Sequence, residues 1–120
     1  MMNVQRISEL LDAQIVAGAE YMDRQVMMGC GCDLMSHVLS HIKEDNTLLL
    51  TGLTTPQVIY VSDAVDIKVI CFVRGKKPAE KTISLAIERK MVLMNTDLLL
   101  FESCGKLYKD GLIGCSEYES

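Results

Sequence analysis

Three short apolar segments, each followed at once by a polar turn and a helical pattern, constrain this chain more than any other feature. They are Thr47-Leu48-Leu49-Leu50, Lys68 to Val73 and Met91 to Met94. Each is too short for a helix and lacks the in–out alternation of a half-exposed strand. Such segments read as strands buried on both faces, as in a parallel sheet covered by helices. The turns that follow are Thr51-Gly52-Leu53-Thr54-Thr55-Pro56, Arg74-Gly75-Lys76-Lys77-Pro78 and Asn95-Thr96-Asp97. Strands alternating with helices imply right-handed βαβ units. The expected class is therefore α/β with a mainly parallel sheet.

The remaining elements fit around this rhythm. Asn3 can cap a first helix carrying Val4, Ile7, Leu10 and Leu11. Gln14 to Ala17 reads as a strand closed by Gly18, and Arg24 to Met28 as another. Gly29-Cys30-Gly31-Cys32 reads as a turn. Asp33 is expected to cap a helix with Leu34, Val38 and Ile42 on one face. Thr55 is expected to cap a helix whose first residue is Pro56. Pro78 opens the next, with Ile83, Ala86, Ile87 and Lys90 as its inner stripe. Thr96 is expected to cap the last, whose apolar face is Leu100, Phe101, Cys104, Leu107 and Tyr108. Gly111 stops that helix and Leu112 folds back.

A chain of 120 residues is expected to form one domain over 1–120, with a loose acidic tail at 115–120. Hydrophobic residues make up 49 % of it, and the mean hydropathy is +0.21. That excess argues for a subunit interface, most simply a homodimer. The net charge is −4 and no more than two basic residues are adjacent. A nucleic-acid surface needs a basic stripe, so that partner is excluded. No apolar run approaches the roughly 18 residues that span a bilayer. The five cysteines, Cys30, Cys32, Cys71, Cys104 and Cys115, are odd in number and suggest no disulfide framework. The expectation is a cytoplasmic protein without a membrane partner.

In open α/β sheets ligands bind beyond the carboxyl ends of the strands. Here that edge collects Thr51, Gly52, Thr54, Thr55, Arg74, Gly75, Lys76, Asn95 and Thr96. Helix N-termini direct unpaired N–H groups there, and Arg74 and Lys76 add positive charge, so a phosphate or carboxylate would be stabilised. The same threonines also read simply as helix caps. No dinucleotide fingerprint or phosphate loop is present, which argues against phosphoryl transfer of the usual kind. Cys30, Cys32, His37 and His41 form the sharpest constellation for a tetrahedral zinc site. However, Cys-x-Cys is not the usual knuckle, and these residues read more simply as half-buried thiols and helix-edge histidines. No metal, cofactor or catalytic residue is assigned.

Taken in order, Asp23-Arg24, Gly29, Asp33-Leu34-Met35-Ser36, Thr51-Gly52, Gly75 with Pro78, and Cys104-Gly105-Lys106-Leu107-Tyr108 resemble the DRTGG domain. The likeness runs from about Ile7 to Leu112. The family includes domains inserted in regulated inorganic pyrophosphatases and in some phosphotransacetylases. It is similar to the N-terminal domain of HPr kinase/phosphorylase. The resemblance implies a three-layer α/β/α sandwich and a non-catalytic regulatory or assembly module. It also implies a partner protein, for which a redox enzyme such as a hydrogenase is one candidate. The alternative that the residues themselves support is a sensor of a small anionic ligand such as a nucleotide, held at the strand-end edge. A metal or thiol-redox protein using Cys30 and Cys32 ranks third.

Overall fold

The computed structural model describes residues 1–42 and 46–117, with His41 described by its backbone only. Asn3 caps the first helix as expected, its side chain accepting from the Arg6 N–H at 2.9 Å. Elements then follow in the order β1 (Met2–Asn3), α1 (Val4–Leu11), β2 (Gln14–Ala17), β3 (Gln25–Val26), β4 (Met28–Gly31) and α2 (Met35–His41). The second half is β5 (Thr47–Thr51), α3 (Pro56–Ala64), β6 (Val69–Phe72), α4 (Glu80–Glu88), β7 (Val92–Asn95), α5 (Leu100–Lys109) and β8 (Ile113–Gly114).

The main sheet has six strands in the order β2-β7-β6-β5-β4-β8. Every neighbouring pair is parallel except β2 with β7, which is antiparallel and irregular between Ile15 and Ala17. β1 and β3 form a separate two-stranded antiparallel ribbon.

The three central strands are buried at every position, as their apolar runs require. Their side chains divide by the two-residue strand period. Leu48, Leu50, Val69, Cys71, Val92 and Met94 pack with α1 and α5. Leu49, Ile70, Phe72 and Leu93 pack with α2, α3 and α4. The result is a three-layer α/β/α sandwich with two helices on one face and three on the other.

Two parts of this arrangement differ from the sequence-based expectation. The Arg24–Met28 strand is two strands belonging to different sheets. The Gly29-Cys30-Gly31 segment is not a turn but most of β4, which runs parallel to β5 from Met28–Thr47 to Gly31–Leu50. Glycine is a poor strand former, but here it creates room. A Cβ on Gly31 would lie 2.8 Å from Cys104 Sγ, so α5 approaches β4 closely only because the side chain is missing.

Arg24, half-buried, anchors the ribbon to the sheet. Its guanidinium donates to the Lys68 carbonyl at 3.2 Å and stacks on Tyr21, 4.4 Å from the ring centre. Asp23-Arg24 is thus a hydrogen-bonding corner. The α5 helix ends as expected: Gly111 takes φ 108°, and the buried Leu112 donates its N–H to the Leu107 carbonyl. The Cys115–Glu117 segment, expected to be loose, forms a short 3-10 turn, and 118–120 lie outside the described residues.

Candidate functional site at the strand ends

Because β4 to β7 are parallel, their carboxyl ends open on one side of the sheet. The chain leaves them at Cys32, Thr51, Val73 and Thr96. Backbone hydrogen bonds stitch these exits together: Cys32 N to Leu50 O, Val73 N to Thr51 O, and Thr96 N to Phe72 O, each between 2.9 and 3.0 Å. The turn after β6 is tied to the turn after β7 by Arg74 N to Leu98 O and Gly75 N to Thr96 O, both 2.8 Å. Arg74 and Gly75 take φ of 65° and 67°, the left-handed region that glycine tolerates and arginine rarely adopts. This pair of conformations turns the exposed Arg74 side chain back across the edge. There it lies so close over Gly52 that a Cβ on Gly52 would overlap the guanidinium.

Asp33 occupies the middle of this edge, and its role differs from the cap expected of it. The α2 helix begins at Met35 behind Leu34, with no side-chain cap. One oxygen of the Asp33 carboxylate instead accepts from the Gly52 N–H at 2.7 Å and from the Thr51 hydroxyl at 2.9 Å. The Gly52 N–H holds the carboxyl below its usual range. Burial opposes this, second in size to the Gly52 N–H, while the Thr51 hydroxyl and the charges of Arg74 and Lys76 add smaller effects in the lowering direction.

The expected site residues therefore separate into two groups. Thr51 and Gly52 are at the edge, but their donors are spent on Asp33. Thr96 is buried; its hydroxyl donates to the Leu11 carbonyl at 2.6 Å and accepts from the Leu98 N–H at 3.3 Å. It locks the β7 exit to α1 rather than capping α5, which begins behind Leu99. Arg74 and Lys76 are exposed, and Gly75 lies between them against the Asp97 carboxylate. Thr55 precedes α3 and, like the residues preceding α4 and α5, makes no side-chain cap hydrogen bond. In the first turn of α3 the Val58 N–H donates to the Thr55 carbonyl at 3.1 Å, and Pro56 has no N–H. The Thr54 carbonyl accepts from Thr82 at 2.8 Å, binding α4 to the same edge. Asn95 is 6 % exposed, and its Oδ1 has no hydrogen-bond partner among the described residues. A buried unsatisfied acceptor of this kind is a position for a donor from outside the chain.

Cys32 stands at the β4 exit next to Asp33, and the other thiols lie within β4, β6 and α5 and after β8. A hydrogen bond shared with Cys115, together with burial, pushes Cys30 well up; the same bond draws Cys115 down against the opposing effect of burial. Burial raises Cys104 and pushes Cys71 up to about 12. Cys30, Cys71 and Cys104 are thus held as poorly nucleophilic thiols. Cys32 donates to the Leu34 carbonyl at 3.4 Å, and His37 follows on the exposed side of α2. The His41 side chain lies outside the described residues. Among the described residues no group of three or more His, Cys, Asp or Glu is placed to hold a metal ion. No helix among them is long and apolar enough to cross a membrane.

A separate cleft of about 320 Å³ lies on the α5 face, over the β4–β8 margin of the sheet. It is apolar, and Gly29, Phe101, Cys104, Gly105, Tyr108 and Ile113 are among its lining residues. The sequence reading missed it because β8 and the strand character of Gly29–Gly31 were not apparent.

No protein-family model and no curated protein matches the sequence. The fold, however, is similar to one already solved: the CBS and DRTGG domains of the regulatory region of Clostridium perfringens pyrophosphatase, complexed with its activator, diadenosine tetraphosphate. The two superpose with a TM-score of 0.72 over 88 % of this chain at 12 % sequence identity. This chain spans about 45 % of the length of that one. The expected resemblance is thereby met at the level of architecture: the chain has an α/β fold similar to that structure.

Proposed function

We propose that this chain is a non-catalytic regulatory module that senses an anionic ligand of the nucleotide class at its strand-end edge. The observation that carries the reading is the Arg74-Gly75-Lys76 turn. Its left-handed backbone holds a guanidinium across the carboxyl ends of the sheet, over Gly52. An arginine so placed meets phosphate oxygens in bidentate fashion. Lys76, also exposed, adds a second positive charge. The unpaired Asn95 Oδ1 would accept from a base or sugar donor. A structural neighbour that is a regulatory region holding a dinucleotide polyphosphate activator supports this class of ligand.

The direct test is calorimetric titration with diadenosine tetraphosphate and with ATP. The wild-type chain should bind one of them, and Arg74→Ala combined with Lys76→Ala should weaken binding about 100-fold or more. That is the loss expected of two charge-assisted contacts at roughly 1.5–3 kcal/mol each. Equal affinity in the double variant would remove the edge from consideration.

A second reading, an assembly module working as a homodimer with a partner protein, has its own support. Phe101, at 84 % exposure, and Tyr108, at 60 %, stand on one side of α5 beside the apolar cleft. Large exposed aromatics clustered at an apolar hollow mark an interaction surface. Light scattering of the purified chain tests this reading: a monomer across the accessible concentration range would count against it.

A further inference from the structure

We propose that α5 is the dimer surface, pairing antiparallel with α5 of a second copy about a two-fold axis near Gly105. This rests on the assembly reading and names its occupant and its residues.

Gly105 is the first reason. It lies in the interior of α5, where glycine is disfavoured relative to alanine. Nothing within the chain calls for it. A Cβ placed there would meet no heavy atom within 4 Å among the described residues, and its backbone is not left-handed. Gly31 and Gly52, by contrast, are each pressed by a neighbour from their own chain. A bare patch of helix backbone facing outward, between Phe101 and Tyr108 and on the wall of an apolar cleft, suits the close approach of another molecule.

The charges identify that molecule. Phe101, Gly105 and Tyr108 form one stripe at i, i+4 and i+7 spacing, and Glu102, Lys106 and Lys109 form the adjoining stripe. All of these residues are exposed. The acidic member stands in the first turn of α5 and the basic members in the last. An antiparallel second copy sets Glu102 of each chain against Lys106 and Lys109 of the other. It also brings Phe101 of each chain beside the Tyr108 and the cleft of the other. A two-fold interface must be self-complementary in this way. The shortage of helices on this face, two against three on the other, leaves the β4–β8 margin for the second copy to cover.

Sedimentation and light scattering of the full chain over a wide concentration range test the proposal. The wild type should run at twice the 13.4 kDa chain mass. Phe101→Asp and Gly105→Leu should each weaken association by at least about tenfold, with helical content unchanged, since neither site is buried in the monomer. Gly105→Ala should raise the melting temperature of the dilute monomer while weakening the dimer. Glu102→Lys should weaken self-association, and mixing it with a Lys106→Glu, Lys109→Glu chain should restore a mixed dimer. A wild type that is monomeric throughout would overturn both the surface and the assembly reading. A dimer indifferent to Phe101→Asp and Gly105→Leu would overturn this surface alone and place the interface elsewhere.

Discussion

Asp33 sets the balance of the strand-end edge. It neutralises part of the charge that Arg74 and Lys76 bring, and it takes the Gly52 N–H that an incoming anion would otherwise meet. Its depressed carboxyl has a definite consequence for stability. An aspartate that titrates near 3.9 when unfolded but lower when folded contributes stability that is present above about pH 4. That contribution is lost as pH falls through the folded value. Urea unfolding followed from about pH 5 to 2 should therefore decline less steeply in Asp33→Asn than in the wild type. At pH 7, Asp33→Ala should cost about 1–2 kcal/mol, because the Gly52 N–H and the Thr51 hydroxyl lose an acceptor together. The same variant should bind an anion more tightly, since it removes a like charge from the edge. The location of this residue at the edge follows from the sequence, but its role does not. A cap and a carboxylate bridging to the next strand exit carry the same signature, an aspartate just ahead of a helix. Thr96 repeats the lesson, since its hydroxyl is spent on Leu11, 85 residues earlier in the chain.

At the scale of elements, the central strands and the helices between them were legible because their cause is local. Thr47–Thr51, Val69–Phe72 and Val92–Asn95 are dense in large apolar side chains and end at strong turn signals. β4 was not legible because its cause is distant. Gly29 and Gly31 weaken strand propensity, and only the closeness of Leu112, Leu100 and Cys104 accounts for them. The corresponding prediction is that Gly31→Ala costs about 1–3 kcal/mol in chemical unfolding, the penalty of overpacking where α5 meets the sheet. A neutral result would mean that α5 is free to move away from β4. Ser103 offers the opposite test. Its hydroxyl is fully buried on the inner side of α5 with no partner among the described residues. Ser103→Ala should therefore raise stability by about 1 kcal/mol, because it deletes an uncompensated polar group and improves helix propensity. Leu107→Ala on the same helix face should lower stability by about 2–5 kcal/mol.

For the whole molecule, the sheet divides the chemistry between two places. Its carboxyl edge gathers Asp33, Arg74, Lys76 and Asn95 into a polar surface, while its β4–β8 margin and α5 form an apolar one. The first is suited to an anion and the second to a protein surface. The proposed function places the ligand at the polar edge. The most direct test is a titration of ¹⁵N-labelled protein with an adenine nucleotide, followed by amide chemical shifts. Dose-dependent shifts should concentrate at Gly52, Arg74, Gly75, Lys76 and Thr96, with Gly29, Gly105 and Ile113 unmoved. Shifts confined to the α5 cleft, or no shifts at millimolar nucleotide, would contradict it.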